Sequence, residues 1–418
     1  MRLLYNIVAY LSMPVLFLRL AIRSVRYPAF RQRWKERMGY VNVFEHGCLW
    51  FHAVSLGESI AATPLIEKTL EAYPDIPIVV TNMTPTGSAY VQQQFAHRVY
   101  NCYLPYDVPH FMRRFIHRIQ PKIAVFLETE LWPNALRLCG RQHIPILLAN
   151  ARLSRRSARR YSYVGNSMVS LLSNMTYVAA QTKADGKRFV ALGLAREQLV
   201  ITGSVKFDIV VAAEKKSAGL LLKASIGPRF VWIAASTHEG EEEQILHAHQ
   251  ELIKHYPDAL LILVPRHPHR FEQVAGLVQR SRLTLVRRQH NVPIEDSTQV
   301  YLGDTLGDML LFYAACDVAF VAGSFAPIGG HNMLEAAALE KPILTGPHFH
   351  NFQAIADQLR AAGALTVVFD EDSLAQQLMV LASSREQRQA MGNRAIAVLL
   401  ANRGAVDQQF SLIQKMID

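Results

Sequence analysis

The sequence predicts two doubly wound α/β domains behind an apolar, membrane-associated amino-terminal helix, and three observations carry this. A chain of 418 residues, 50% hydrophobic and 19% charged, is long enough for two or three domains of about 150 residues. Past residue 45, short β-rich apolar runs alternate with helical stretches, the pattern of parallel sheets with crossover helices. Ahead of them, residues 3–22 are nearly all apolar. This composition excludes disorder, and a single such stretch excludes a polytopic transporter, which needs repeated apolar runs of about 20 residues.

As a helix, Leu3 to Ile22 would measure about 30 Å, the hydrocarbon thickness of a bilayer. Asn6, Ser12, Pro14 and Arg19 interrupt it, and Tyr5 and Tyr10 suit headgroup depth. Residues 1–40 hold eight basic groups against Glu36, a net of +7, and Ala151 to Arg160 adds five arginines with no acid. These blocks carry +12 against +10 for the whole chain, so the rest is about −2 and the basicity is local. A basic block directly after an apolar segment fits anionic lipid headgroups, whereas nucleic acid is read by basic groups interleaved with aromatics. The second block is equally well a solvated face. No small-residue cleavage site follows the apolar stretch, so it is expected to be retained, and its positive flank keeps the remaining chain cytoplasmic. Spanning helix, in-plane helix and buried helix of the globular body all stay open.

The first strand series is Leu49–Ala53, Ile78–Thr81, Ile123–Leu127, Ile146–Ala149, Tyr177–Ala180 and Val200–Thr202. The second is Val231–Ala235, Leu260–Val264, Val300–Leu302, Val318–Val321, Ile343–Thr345 and Leu365–Val368. Residues 204–228, bounded by Gly203 and Gly227-Pro228, are helical in pattern and mark the junction. The expected division is a membrane-associated helix over 1–24, one domain over 25–205 and a second over 206–400. Neither a short repeat nor a low-complexity tract is present. Cys48, Cys102, Cys139 and Cys316 lie far apart without CxxC spacing, which fits structural thiols in a reducing compartment. Two doubly wound domains leave a cleft between the carboxyl ends of their sheets, where open α/β sheets bind ligands.

Candidate site residues fall at those strand ends. The strand Val318–Val321 runs into a loop with Gly323, Ser324, Gly329 and Gly330, and a helix is expected from near His331 or Asn332. Such a loop offers backbone N–H groups and a positive helix end to a phosphate, and Glu335 is placed to accept the hydroxyls of a ribose. An ordinary tight turn is the alternative for glycines before a helix. Ser236 ends another strand, as phosphate ligand or as helix cap, with acids following in the first turn. Arg266, in the loop Pro265-Arg266-His267-Pro268-His269-Arg270, suits an anionic donor with its planar fork. His267 and His269 lack partners at ligand spacing, so no metal is expected. In the first half, Glu58 follows the strand ending at Ala53 and is a candidate general base held at a helix start, although spacing alone equally describes a glutamate without chemistry. Glu128 and Glu130, beside Trp132-Pro133, are candidates for supporting Glu58 or binding acceptor hydroxyls, and Arg152 opens the second basic block.

These segments resemble the lipopolysaccharide Kdo transferases, membrane-associated glycosyltransferases that move 3-deoxy-D-manno-octulosonic acid (Kdo) from CMP-Kdo to a lipid A precursor. The likeness rests on His52-Ala53-Val54-Ser55-Leu56-Gly57-Glu58, Thr81-Asn82-Met83-Thr84-Pro85-Thr86-Gly87, Tyr103-Leu104-Pro105-Tyr106-Asp107 and Glu128-Thr129-Glu130-Leu131-Trp132-Pro133-Asn134. It continues through Asn150 to Ser154, Thr202 to Asp208, Ala235 to Glu242, Pro265 to Pro268, Gly329 to Glu335 and Gly346-Pro347-His348. The resemblance implies a GT-B architecture, an amino-terminal acceptor domain facing a carboxyl-terminal CMP-Kdo domain, with residues 401–418 returning to the first. It implies an inverting transfer with Glu58 as base, no cofactor and no metal. Donor contacts are then expected at Ser236, Arg266, Gly323, Ser324, Gly329, Gly330, His331, Asn332 and Glu335. By charge logic, Arg152 and Lys206 are candidates for the Kdo carboxylate or the acceptor phosphates. Ile328 stands where some relatives carry a polar residue, which weakens a side-chain role there. Expected partners are CMP-Kdo, a lipid A precursor and anionic inner-membrane lipids, with no nucleic acid. Competing readings are a soluble nucleotide-sugar transferase or epimerase of the same architecture, and a non-catalytic lipid-binding scaffold.

Overall fold

The computed structural model describes residues 2–26, 30 and 32–417, so Arg31 of the basic flank lies outside the described residues. The chain divides into two compact units, Met1–Asp208 with Asn402–Asp418, and Ile209–Ala401.

In the first unit, β1 (Cys48–His52), β2 (Ile78–Asn82), β3 (Tyr100–Tyr103), β4 (Pro121–Leu127), β5 (Ile146–Ala151), β6 (Tyr177–Ala180) and β7 (Leu199–Ile201) form one sheet. Its order is β3-β2-β1-β4-β5-β6-β7, and every pairing is parallel. The central strands are buried at almost every position because helices cover both faces, and polar residues such as His52, Asn82 and Asn150 fall at or beside the carboxyl ends. Alternation along β1 sends Trp50 to one core, against Phe115 and Phe126. Leu49 and Phe51 enter the other core, which also holds Phe410 and Ile413 of the last helix, Ala405–Ile417. That helix is fastened to the unit by polar contacts as well. Asp208 accepts the Gly404 and Val406 N–H groups at 2.6 and 2.7 Å, and buried Gln409 bonds the Asn150 N–H and the Thr202 hydroxyl.

In the second unit, β8 (Val231–Thr237), β9 (Leu260–Pro265), β10 (Leu285–Arg287), β11 (Val300–Leu302), β12 (Val318–Val321), β13 (Ile343–Thr345) and β14 (Leu365–Val367) form a sheet of order β10-β11-β9-β8-β12-β13-β14, again parallel in every pairing. One of its cores gathers Trp232, Leu261, Leu263 and Phe320. Strand order reverses between β1 and β4 in the first sheet and between β8 and β12 in the second, and such reversals open a crevice beyond the strand carboxyl ends.

Three details depart from expectation. β3 and β10 are absent from the predicted series; both are edge strands, half-buried at two or more positions, so neither shows a continuous apolar run. The junction stretch is an α-helix only over Ala213–Ile226. The helix expected from about residue 331 begins at Leu334 and is five residues long.

Candidate active site

In the first unit, the helix Leu56–Ala72 starts just beyond β1 with Ser55 as its cap. Ser55 accepts the Glu58 N–H, and the Glu58 carboxylate reaches back to accept the Val54 N–H at 2.8 Å and the Ser55 hydroxyl at 2.9 Å. This reciprocal arrangement resembles a capping box and fixes the carboxylate at the β1 end. Burial raises the Glu58 pKa above its ordinary value, Glu128 adds to the rise, and the Val54 and Ser55 bonds oppose it. Glu130, two residues beyond Glu128, accepts the Trp132 indole N–H at 2.8 Å. Burial first, then the negative charge of Glu58, pushes its pKa up to about 7. The carboxylates that follow β1 and β4 thus share one electrostatic neighbourhood at the sheet's reversal point, and Glu130 gains or loses its proton near neutral pH.

Three of the ten left-handed non-glycine residues among those described lie at carboxyl strand ends. Glu128 (φ 58°) follows β4, Asn150 (φ 50°) lies in β5 one residue from its end, and Ser236 (φ 61°) is the penultimate residue of β8. Left-handed non-glycine residues cost about 1–3 kcal/mol and gather where function holds them. Arg152 is exposed just after β5, and its carbonyl accepts the Thr129 hydroxyl, tying it to the Glu128–Glu130 loop. Lys206, half-buried, sits in the turn Val205–Phe207, which Asn150 anchors by accepting the Val205 N–H at 3.3 Å.

In the second unit, Gly323 (φ 70°) follows β12, and a Cβ there would lie 2.7 Å from the His331 ring. His331 Nε2 is 2.8 Å from His238 Nε2, with the rings stacked at 5.1 Å. Burial, then His238, lowers the His331 pKa to about 4, so two neutral imidazoles meet, one donating and one accepting. Burial raises the Glu335 pKa, opposed by the Asn332 amide, which donates to it at 3.3 Å, and by the charge of Arg266. Arg266 also lowers His331, so Arg266, His238, His331, Asn332 and Glu335 converge. Gly329 (φ 107°) and Gly330 (φ 78°) need glycine: a Cβ on Gly329 would lie 2.4 Å from Asn351 Nδ2.

The loop after β12 differs from its expectation. The N–H groups of Gly323, Ser324 and Phe325 do not await a phosphate; they donate at 2.8, 2.9 and 2.9 Å to the carboxylate of Glu241, which is fully buried. Glu241 also accepts the His238 N–H at 2.9 Å. The Ser324 hydroxyl donates to the Val321 carbonyl and accepts the Gly346 N–H, leaving the side chain wholly buried. Gly330 spends its N–H on the Gly323 carbonyl. The chain supplies its own anion to this part of the cradle. Sequence reasoning missed Glu241 and His238 because the acids 241–243 read as macrodipole decoration. The available signal was periodicity: Glu241 and Glu242 share the apolar face of Ile245, Leu246 and His249, so the helix turns both acids inward. Glu242 is paired there with Arg270 at 2.7 Å and with Thr237 at 2.9 Å.

Residues 32–209 match the family model of 3-deoxy-D-manno-octulosonic-acid transferases, and residues 229–398 match that of glycosyl transferases group 1. A 3-deoxy-D-manno-octulosonic acid transferase of Haemophilus influenzae is 39% identical over 100% of this chain and 99% of its own. The chain belongs to the Kdo transferase family. A Kdo transferase of Bordetella pertussis is 36% identical over 88% of this chain and 86% of its own. Among solved structures, a glycosyltransferase from Rickettsia africae (TM-score 0.57, 12% identity, 89% of this chain and 99% of that one) has the same fold. So has a UDP-GlcNAc 2-epimerase from Neisseria meningitidis (TM-score 0.55, 15% identity, 88% and 100%). At such identities they speak for the GT-B fold alone. As a Kdo transferase the protein is a glycosyltransferase, and its two units carry their clusters at the carboxyl edges of their own sheets.

Proposed function

We propose that this Kdo transferase takes its sugar from CMP-Kdo and delivers it, with inversion, to a hydroxyl of the lipid A precursor lipid IVA, at the cytoplasmic face of the inner membrane during lipopolysaccharide inner-core synthesis. The observation that carries this reading is the Glu58 carboxylate, held by Val54 and Ser55 at the β1 end with its pKa raised by burial. A general base needs a fixed position and an affinity for protons close to the working pH. Glu58 takes the proton of the acceptor hydroxyl as that oxygen bonds the anomeric carbon of Kdo. The bond from that carbon to the phosphate oxygen breaks, and CMP leaves as a phosphate monoester carrying the electron pair. Glu130, about half protonated at pH 7, donates a hydrogen bond to an acceptor hydroxyl from its protonated form, and Glu128 adds to the burial that raises the proton affinity of Glu58.

Departure of CMP builds negative charge, and preorganised donors aimed at that charge are the usual largest catalytic contribution. Ser236, Arg266 and the Gly329–Asn332 segment are assigned to the phosphate, and Glu335 to the ribose hydroxyls. Gly323 and Ser324 serve the donor at one remove, by holding the loop through Glu241. Arg152 and Lys206 are assigned to the Kdo carboxylate or the acceptor phosphates. The apolar helix Arg2–Arg26 brings the enzyme to an acceptor whose acyl chains stay in the leaflet.

Mass analysis of lipid IVA after incubation with enzyme and CMP-Kdo tests the proposal. Products heavier by whole Kdo units, with equimolar CMP, are expected. Conversion of the nucleotide sugar without a lipid adduct would favour the epimerase reading, and no reaction at all the scaffold reading.

A further inference from the structure

The helix Arg2–Arg26 carries two unlike faces. One follows the first unit. The Tyr5 hydroxyl donates to Asp107 Oδ2 at 2.8 Å, the Tyr10 hydroxyl lies 2.9 Å from His110 Nδ1, and Phe17 packs edge-on against Tyr106 at 5.7 Å. Met13, Leu20 and Ser24 are buried along the same side. The other face is apolar and bare: Leu4, Ile7, Leu11, Val15, Leu18 and Ile22 are 46–73% exposed and recur every three or four residues, which makes one continuous stripe. A soluble helix would turn that stripe inward.

From Tyr5 to Phe17 side-chain contacts hold the helix to the first unit over about 18 Å, more than half the hydrocarbon thickness of a bilayer. A spanning helix needs that length clear of polar neighbours on every side. Here a crossing would drag Asp107 and His110 into hydrocarbon, at a cost that membrane proteins avoid. Asp107 is no detachable hook either, since it is buried and its carboxylate accepts the Asn134 and Ala135 N–H groups at 2.9 and 3.0 Å. The helix contains no acidic residue, and exposed Arg19 and Arg23 lie toward its carboxyl end. That charge complements anionic headgroups.

We infer that this helix does not cross the membrane but lies in the plane of an anionic leaflet, its bare stripe at the acyl-chain boundary and its Tyr5–Phe17 side clamped to the first unit. The inference rests on the membrane location proposed above and adds the orientation. Because Asp107 joins Tyr5 to Asn134 and Ala135, just beyond Glu130, the leaflet also fixes the attitude of the Glu128–Glu130 loop toward a membrane-borne acceptor.

The test places spin labels on single cysteines introduced at Leu4, Leu11, Leu18 and Ile22 of the full chain, bound to vesicles of phosphatidylethanolamine and phosphatidylglycerol. The four native cysteines are buried, and burial raises their thiol pKa values, so they do not compete for label. Equal depths at all four sites, about 5–10 Å below the headgroups, are expected. A monotonic depth change of about 25 Å from Leu4 to Ile22 would mean spanning and overturn the inference while leaving membrane location intact. Water-like accessibility at every site would overturn the inference and the membrane location together. Strong coupling between labels on two copies at Leu11, without lipid contact, would mean that a second chain covers the stripe and would likewise overturn it.

Discussion

Glu241→Gln tests whether the loop after β12 is held by a buried carboxylate. One Glu241 oxygen serves His238 and Gly323, the other Ser324 and Phe325, all within 2.8–2.9 Å. An amide keeps the shape but turns one oxygen into an N–H donor facing two backbone donors. If the carbonyl stays with Ser324 and Phe325, the His238 and Gly323 N–H groups lose their partner. Each buried donor left unsatisfied costs about 1–3 kcal/mol, so with two of them the variant should lose about 2–6 kcal/mol. For a unit of this size that lowers Tm by about 4–24 °C. Scanning calorimetry with and without CMP measures it, and donor affinity should fall with the loop, because His331 packs over Gly323. An unchanged Tm, within about 1 °C, would refute the reasoning.

Glu130→Gln should show a pH-dependent gain. The folded-state pKa of about 7 lies above the ordinary value, so the contribution of Glu130 to stability is complete below about pH 4.5 and lost as pH rises through 7. The variant should therefore match wild type near pH 4 and melt several degrees higher at pH 8; equal melting at both pH values would contradict the burial argument. Gly329→Ala forces a Cβ to within 2.4 Å of Asn351 Nδ2 at a φ of 107°. With a strain of about 1–2 kcal/mol, the donor KM should rise about tenfold while kcat holds, and an unaltered KM would separate Gly329 from donor binding. Gln409→Ala leaves the buried Asn150 N–H and Thr202 hydroxyl without their Gln409 contacts. Denaturant titration should show the first unit less stable by about 2–3 kcal/mol, and no shift in midpoint would mean that the last helix is only peripherally attached.

The buried strands were legible because a parallel strand covered on both faces is almost wholly apolar: Tyr177–Ala180, Val300–Leu302, Val318–Val321 and Ile343–Thr345 coincide with their predicted bounds. Of the four edge strands, Tyr100–Tyr103 and Leu285–Arg287 went unseen because Asn101 and Arg287 break runs that are already short. Glu58, Glu128 and Glu130 could be singled out because strand ends are where α/β sheets do chemistry. The sequence offers Glu128 and Glu130 as supports for Glu58, but that the charge of Glu58 raises the proton affinity of Glu130 depends on β1 and β4 being neighbours in the sheet although about 70 residues apart in sequence. Reading the Gly323 and Ser324 N–H groups as free phosphate donors failed for a similar reason. Their anion, Glu241, comes from a different helix some 80 residues upstream, and only the spacing to Ile245, Leu246 and His249 tells which two of three consecutive acids turn inward.

The central claim is that Glu58 removes the acceptor proton. Single-turnover Kdo transfer from CMP-Kdo to lipid IVA by Glu58→Gln, run beside a CMP titration and a melting curve, tests it most directly. The amide keeps an oxygen for the Val54 N–H, so the fold should survive and CMP binding should be unchanged. Loss of a general base predicts a rate lower by about 10²–10⁴-fold, with the acidic limb of the pH–rate profile gone. A variant that transfers Kdo within about twofold of the wild-type rate, with that limb in place, would show that the proton leaves by another group.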